Sequence, residues 1–249
     1  MKVGQNNFRY VLVGLAATAA LGLHSSMALA DTSQAAKAKV PAGAPTAWNP
    51  KVQSAPKDPV SGRTFDDQQI ATIKKVGAYF NKISNLKGVF VQTTSDNKRA
   101  RGKFYLKRPG RFRFDYASPS KLRVLSDGTF VAVEDHDLNT VDNHPLKDLP
   151  IRILLRSNVD ILRDANVLDV QESDDLIILS LVVKGDSTSG QIKVFLTKLP
   201  ELQLKEWVIT DAQGIETRVE VAKLEIPEQL DANLFRRSQL GYPEFQTGN

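Results

Sequence analysis

The chain has 249 residues, a formal net charge of +5 and no cysteine. Without cysteine it holds no disulfide, thiolate metal site or thiol nucleophile, and no lipid attached through a cysteine. The charge suggests nucleic acid, but Lys2 and Arg9 supply two units and residues 31–63, with five basic residues against two acids, supply three; residues 64–249 are neutral, so nucleic acid is not an expected partner.

Residues 1–30 have the layout of a cleavable secretory signal: basic through Arg9, apolar from Tyr10 to Leu23, then Ala28-Leu29-Ala30 as the cleavage site. The apolar stretch is broken by Gly14, Thr18 and Gly22 and is shorter than the roughly 20 residues of a spanning helix. An exported, soluble product is expected. Residues 31–63 are mostly Ala, Lys, Pro, Ser and Gly, with too little apolar surface to offset the entropy of ordering them, and read as a flexible linker in which Trp48 is the one aromatic. The folded domain is expected over 64–249, a length one core serves comfortably.

Order is expected to begin near Thr64, which with Asp67 resembles an N-cap and its acidic partner. Ile70, Ile73, Val76, Phe80 and Ile83 then recur at spacings of three and four, the stripe of an amphipathic helix. Beyond Leu86 the period becomes two. Phe112, Phe114 and Tyr116 alternate with Arg111, Arg113 and Asp115, and Ile215, Val219 and Val221 alternate with Glu216, Arg218 and Glu220, as half-buried antiparallel strands do. Similar runs cover 86–94, 102–107, 121–126, 129–134, 166–172, 176–184, 190–197 and 202–210, with turn signals such as Pro109-Gly110, Ser118-Pro119 and Asp127-Gly128 between them. The pattern predicts a mainly β domain with some α, built on one curved sheet or barrel. Leu149 to Ser157, carrying Ile151, Leu154 and Leu155, reads as a short helix, and another is expected near Asp231, carrying Leu234.

Chemistry is sparse. His136 stands in Glu134-Asp135-His136-Asp137, where strand geometry would put only Glu134 and His136 on one face; His144 precedes Pro145 in an expected loop. An ordinary surface turn is the better reading, and no metal, cofactor or catalytic residue is assigned. Ten basic residues between Lys98 and Arg123 face a single acid, Asp115. They are either a patch that steers an anionic partner or simply the solvent side of strands. The opposite face of the same strands carries Phe90, Phe104, Leu106, Phe112, Phe114 and Tyr116, which pattern alone assigns equally to a filled core or to the wall of a cavity.

The residues resemble a known family, the periplasmic LolA-like carriers of outer-membrane lipoproteins. The resemblance runs from Ile83-Ser84-Asn85-Leu86-Lys87-Gly88-Val89-Phe90-Val91-Gln92-Thr93 through Lys107-Arg108-Pro109-Gly110-Arg111-Phe112-Arg113-Phe114-Asp115-Tyr116 and Ser126-Asp127-Gly128. It continues to Pro145-Leu146, Thr210 to Gly214, and Leu230-Asp231-Ala232-Asn233-Leu234-Phe235. It implies a half-open antiparallel β-barrel covered by a few helices that form a lid, and a periplasmic chaperone that ferries lipoproteins from inner to outer membrane. Acyl chains would enter a cavity walled by Phe90, Phe104, Leu106, Phe112, Phe114, Tyr116, Leu154 and Leu155. Arg108 would correspond to the arginine that bonds lid carbonyls and latches the empty carrier, and Phe112 to an aromatic near the cavity mouth. The implied partners are lipoproteins, an inner-membrane ABC-type lipoprotein-releasing complex and, where one is present, an outer-membrane acceptor; a monomer is expected. The alternatives are a periplasmic sensor or adaptor that binds acyl chains or lipopolysaccharide without transporting them and, more remotely, a hydrolase using His136.

Overall fold

A computed structural model describes residues 64–184 and 190–238. The expected signal, the expected linker and the last eleven residues of the expected domain lie outside the described residues. Helix α1 (Asp67–Lys82) is capped by Asp66 rather than Thr64: the Asp66 side chain accepts from the Gln69 backbone N–H at 2.7 Å, and the Gln69 side chain accepts from that of Asp66 at 3.1 Å. The reciprocal bond needs a side chain as long as Glu or Gln three residues after the cap; Gln69 supplies it after Asp66, whereas Asp67 after Thr64 is one methylene shorter, and the start falls two residues later than expected. Ile73, Val76 and Phe80 of the predicted stripe are buried.

Eleven antiparallel strands follow: β1 (Asn85–Thr94), β2 (Arg99–Lys107), β3 (Arg111–Tyr116), β4 (Leu122–Asp127), β5 (Phe130–Asp135), β6 (Thr140–Pro145), β7 (Ala165–Glu172), β8 (Leu176–Val183), β9 (Gln191–Thr197), β10 (Gln203–Thr210) and β11 (Glu216–Glu225). They form one sheet in the order β6-β5-β4-β3-β2-β1-β11-β10-β9-β8-β7. Strand β6, which holds His144, was expected as a loop. It is an edge strand with little buried surface, so Thr140, Asp142 and Asn143 give it no alternating pattern to read. Its partner edge is β7, at the far end of the sheet; the two edges do not pair, and the sheet is curved but not closed.

The chain crosses between those edges through 3-10 turns at Leu146–Asp148 and Pro150–Leu155 and the single-turn helix α2 (Ile161–Asp164). α1 packs on α2 and β7. The core fills the concave side, where Ile73 and Phe80 of α1 and Ile153 and Leu154 of the Pro150–Leu155 turn meet Phe90, Phe104, Leu179, Leu196 and Trp207 from both halves of the sheet. The expected architecture, a half-open barrel covered by helices, is what the strand order and these contacts show.

A second layer crosses the convex side. The 3-10 turn Ala232–Phe235 contains Leu234 as expected and lies over β3 and β4. Lys107 Nζ donates to the Leu230 carbonyl and Arg113 Nη1 to the Leu234 carbonyl, each at 3.2 Å, and the Ser238 N–H donates to Glu134 Oε1 at 2.6 Å. Leu125 and Ala132, which face away from the core strand by strand, are accordingly fully buried. Close packing also fixes Gly102 opposite Phe90 in the β1–β2 ladder: a Cβ there would stand 2.0 Å from the Asp115 carbonyl oxygen and 2.7 Å from the Phe90 ring.

Candidate functional site

Alternation on β2 and β3 sends Phe104, Leu106, Phe112, Phe114 and Tyr116 to the concave face, and the ladder sets Phe104 opposite Phe114 and Leu106 opposite Phe112. Phe114 is the hub. Its ring stacks on Phe104 at 5.7 Å and meets Phe90, Phe112 and Trp207 edge-on at 5.0, 5.8 and 6.2 Å, geometries that aromatic quadrupoles favour. The Tyr116 hydroxyl donates to Gln92 Oε1, and burial pushes its phenol well above the ordinary range, keeping it neutral.

These side chains enclose an apolar chamber roofed by Phe80 and Ile83 at the end of α1 and by Ile151, Leu154 and Leu155 of the 3-10 turn. Its free volume is about 80 Å³, less than the roughly 150 Å³ that holds one benzene. The aromatic rings occupy most of the space, so the described conformation is a closed one. Of the expected wall residues, Phe104, Leu106, Phe112, Phe114, Tyr116, Leu154 and Leu155 line the chamber. Phe90 does not: its ring is seated over Gly102 and the edges of Phe114 and Tyr116, one layer behind the wall. Trp207, Leu204 and Ile209 of β10 and Val219 of β11 complete the far wall and were missed. They stand opposite β2 and β3 only because β1 pairs with β11 in mid-sheet, a long-range contact that no local pattern announces.

Arg108 is the one charged residue in this lining. Its guanidinium carbon lies 5.9 Å from the centroid of the Phe80 ring, within cation–π range, while Nε and Nη1 are buried without a hydrogen-bond partner. Burial pulls its pKa down to about 10, against an opposing pull from Tyr79. Among the described residues it makes no bond to a carbonyl of the roof; it touches the roof through the Phe80 ring.

Much of the basic run from Lys98 to Arg123 is already committed. Lys98 pairs with Asp96, Arg99 with Glu220, Arg113 and Arg123 with Asp115, and Lys121 with Asp137, while Lys107 and Arg113 hold the C-terminal segment. Glu134 is not the surface carboxylate its neighbourhood suggested. It is fully buried, its oxygens accept from the Ser238 N–H and hydroxyl and from Arg123, and His136 Nε2 stands 3.4 Å away. Those acceptor sites are committed to fastening the convex layer. Among the described residues there is no group of His, Asp and Glu able to hold a metal ion, and no helix long and apolar enough to cross a membrane.

A family model described as outer membrane lipoprotein carrier protein LolA matches residues 81–238, more than half of the chain. The chain belongs to the LolA family. The outer-membrane lipoprotein carrier protein of Methylobacillus flagellatus is 31% identical over 163 residues, covering 61% of this chain and 78% of that protein. The carrier of Alkalilimnicola ehrlichii is 35% identical over 86 residues, covering 32% of this chain and 40% of its own length, so the chain spans less than half of that relative. Among solved structures, a LolA superfamily protein from Nitrosomonas europaea superposes with a TM-score of 0.39 and 10% identity, over 66% of this chain and 97% of that one. LolA relatives support a lipoprotein-carrier role, and the family is one of chaperones rather than enzymes. The hydrolase reading of His136 is set aside on that ground.

Proposed function

We infer that this protein is a periplasmic chaperone that takes the acyl chains of lipoproteins into the chamber under α1 and the Pro150–Leu155 turn, and carries them from the inner to the outer membrane. The observation that carries this reading is a single one: an apolar chamber, walled by aromatics from both halves of an unclosed sheet and roofed by short segments that are not part of it. Family membership supports the carrier role, and the chamber supplies its physical basis.

Each buried methylene contributes about 0.8 kcal/mol, so one long acyl chain supplies roughly 10 kcal/mol gross before the cost of opening is deducted. Opening is costly because Phe80, Leu154 and Leu155 must leave contacts with the aromatic wall to create room that the closed chamber lacks. That cost lowers net affinity, which release to an acceptor requires. Arg108 has two roles in this account. Stacked on Phe80 it holds the roof down; with Nε and Nη1 lacking acceptors, it offers donors to the ester carbonyl oxygens of an incoming diacylglyceryl group.

Incubating the purified protein with spheroplasts that carry labelled lipoproteins tests the reading. Labelled lipoprotein is expected in the soluble fraction, in a complex with the protein. Absence of release in the presence of a competent releasing complex contradicts it, and normal outer-membrane lipoprotein levels after depletion would favour the sensor or adaptor alternative.

A further inference from the structure

Beside the apolar chamber lies a second, larger cavity, a cleft of about 1030 Å³, near the upper end of the range for ligand sites. Leu155 lines both, so the two share a wall. The cleft is cationic: Arg111, Lys147, Arg152, Arg156, Arg163 and Lys184 line it, against Asp127 and Asp164. Asp164 is shared by Arg156 and Arg163, each at 2.8 Å, and Asp127 is taken from outside by Arg237, also at 2.8 Å. Arg111 and Lys147 are exposed and have no ion-pair partner among the described residues. A concentration of like charge in a concave site raises the local concentration of an oppositely charged ligand.

The geometry points to this cleft as a binding site for an acidic polypeptide segment, namely the stretch of cargo that follows its lipidated residue. The assignment rests on the carrier reading for the cargo's identity, but the chemistry of the cleft stands on its own. Its cations come from β3, from both 3-10 turns and the residue after the second, from α2 and from the residue after β8, and the two that meet at one point, Arg156 and Arg163, are already held by Asp164, so they do not form the free convergent cluster a phosphate pocket requires. A concave surface fits a chain better than the plane of a bilayer. The protein's own flanking segments are poor occupants: residues 31–63 carry a surplus of three positive charges, and residues 239–249 contain a single acid. The complement must come from another molecule, and a polypeptide whose acyl groups fill the chamber has the cleft directly across the Leu155 wall.

The test uses the purified protein and a fluorescent peptide without lipid, rich in Asp and Glu, beside its Asn and Gln counterpart. Anisotropy is expected to show binding of the acidic peptide alone, weakened about tenfold or more in the double variant Arg111→Ser, Lys147→Ser and again on raising salt from about 0.05 to about 0.5 M. Equal binding of the two peptides, or an unchanged affinity in the double variant, would overturn the assignment. So would a protein that sediments with phosphatidylglycerol vesicles through Arg111 and Lys147 yet ignores the peptide. A fluorescent fatty acid measured in parallel separates the two readings. If it binds and the peptide does not, only the cleft assignment falls; if the peptide binds and the fatty acid does not, the cleft stands and the acyl-carrier reading falls.

Discussion

Two cavities share Leu155 and differ in almost every other respect. The chamber is apolar and nearly full, with about 80 Å³ free; the cleft is cationic and open, with about 1030 Å³. The chamber is part of the core, so under the proposed function its wall residues serve stability and binding together, and a ligand would enter only by displacing packed side chains. The cleft shares a buried floor with the core at Ile153 and Leu155, but its unpaired cations Arg111 and Lys147 are exposed residues that the core does not need. Stability and recognition are therefore coupled in one cavity and separable in the other.

The sharpest way to break this contrast is to truncate the layer behind the chamber wall. Phe90→Ala removes a ring that is 2% exposed and supports Phe114 and Tyr116, and is expected to cost about 3–5 kcal/mol in denaturant unfolding, whereas Lys147→Ser should stay within about 0.5 kcal/mol of the parent. Comparable losses at both sites would dissolve the distinction. Gly102→Val comes next. The added Cβ must displace the Asp115 carbonyl and the Phe90 ring, at an expected cost of about 1–3 kcal/mol, read as a lower denaturation midpoint with an unchanged slope.

Arg108→Leu sharpens the comparison from the other side. It removes two buried donors without partners at the loss of one cation–π contact, so stability should hold or rise by about 1 kcal/mol in thermal unfolding. Handover of bound lipoprotein to the acceptor should slow, because the charge that favours the closed roof is gone. Lower stability together with normal handover would remove Arg108 from the mechanism.

The smallest expected effect concerns the roof's tether. Lys198 and Thr72 hold the Glu172 carboxylate down to about 2, and Lys75 adds to the pull; Thr72 and Lys75 lie on α1, so Glu172 fastens that helix to the end of β7. The folded-state value lies below the roughly 4.3 of an unperturbed Glu. The tie therefore stabilises fully above about pH 4.3 and is lost as pH falls towards about 2. Glu172→Gln should destabilise by under about 1 kcal/mol at pH 7, given the solvent exposure of the cluster, and the deficit should fade as pH falls through about 2. A deficit that persists in acid would mean that the tie is not electrostatic.

How much of this was legible depended on whether a feature is local. The α1 stripe and the alternation of Phe112, Phe114 and Tyr116 are periodic, so the helix and the apolar face of one half of the sheet could be read directly, whereas the reading of that face as a cavity wall came only through the family resemblance. Strand β6 could not, because an edge strand lacks the buried face that makes the pattern. Trp207 was missed as a wall residue, and Phe90 was put in the wall rather than behind it, because both depend on strand order and on which rings occlude which. Glu134 looked like a surface carboxylate because its partners, Arg123 and Ser238, reach it through strand pairing and a chain reversal 104 residues away. The cleft gathers cations from segments between Arg111 and Lys184, and no single window of sequence holds enough of them to stand out.

The central claim is that acyl chains enter the chamber, and Trp207 in its wall reports on that directly. The sequence contains two tryptophans, so Trp48→Phe leaves Trp207 as the sole emitter. Titrating this variant with a diacylated lipopeptide brominated along its acyl chains should quench Trp207 emission saturably, while the unbrominated lipopeptide should not. Binding of the brominated lipopeptide that leaves Trp207 emission unchanged would place the acyl chains elsewhere and contradict the account.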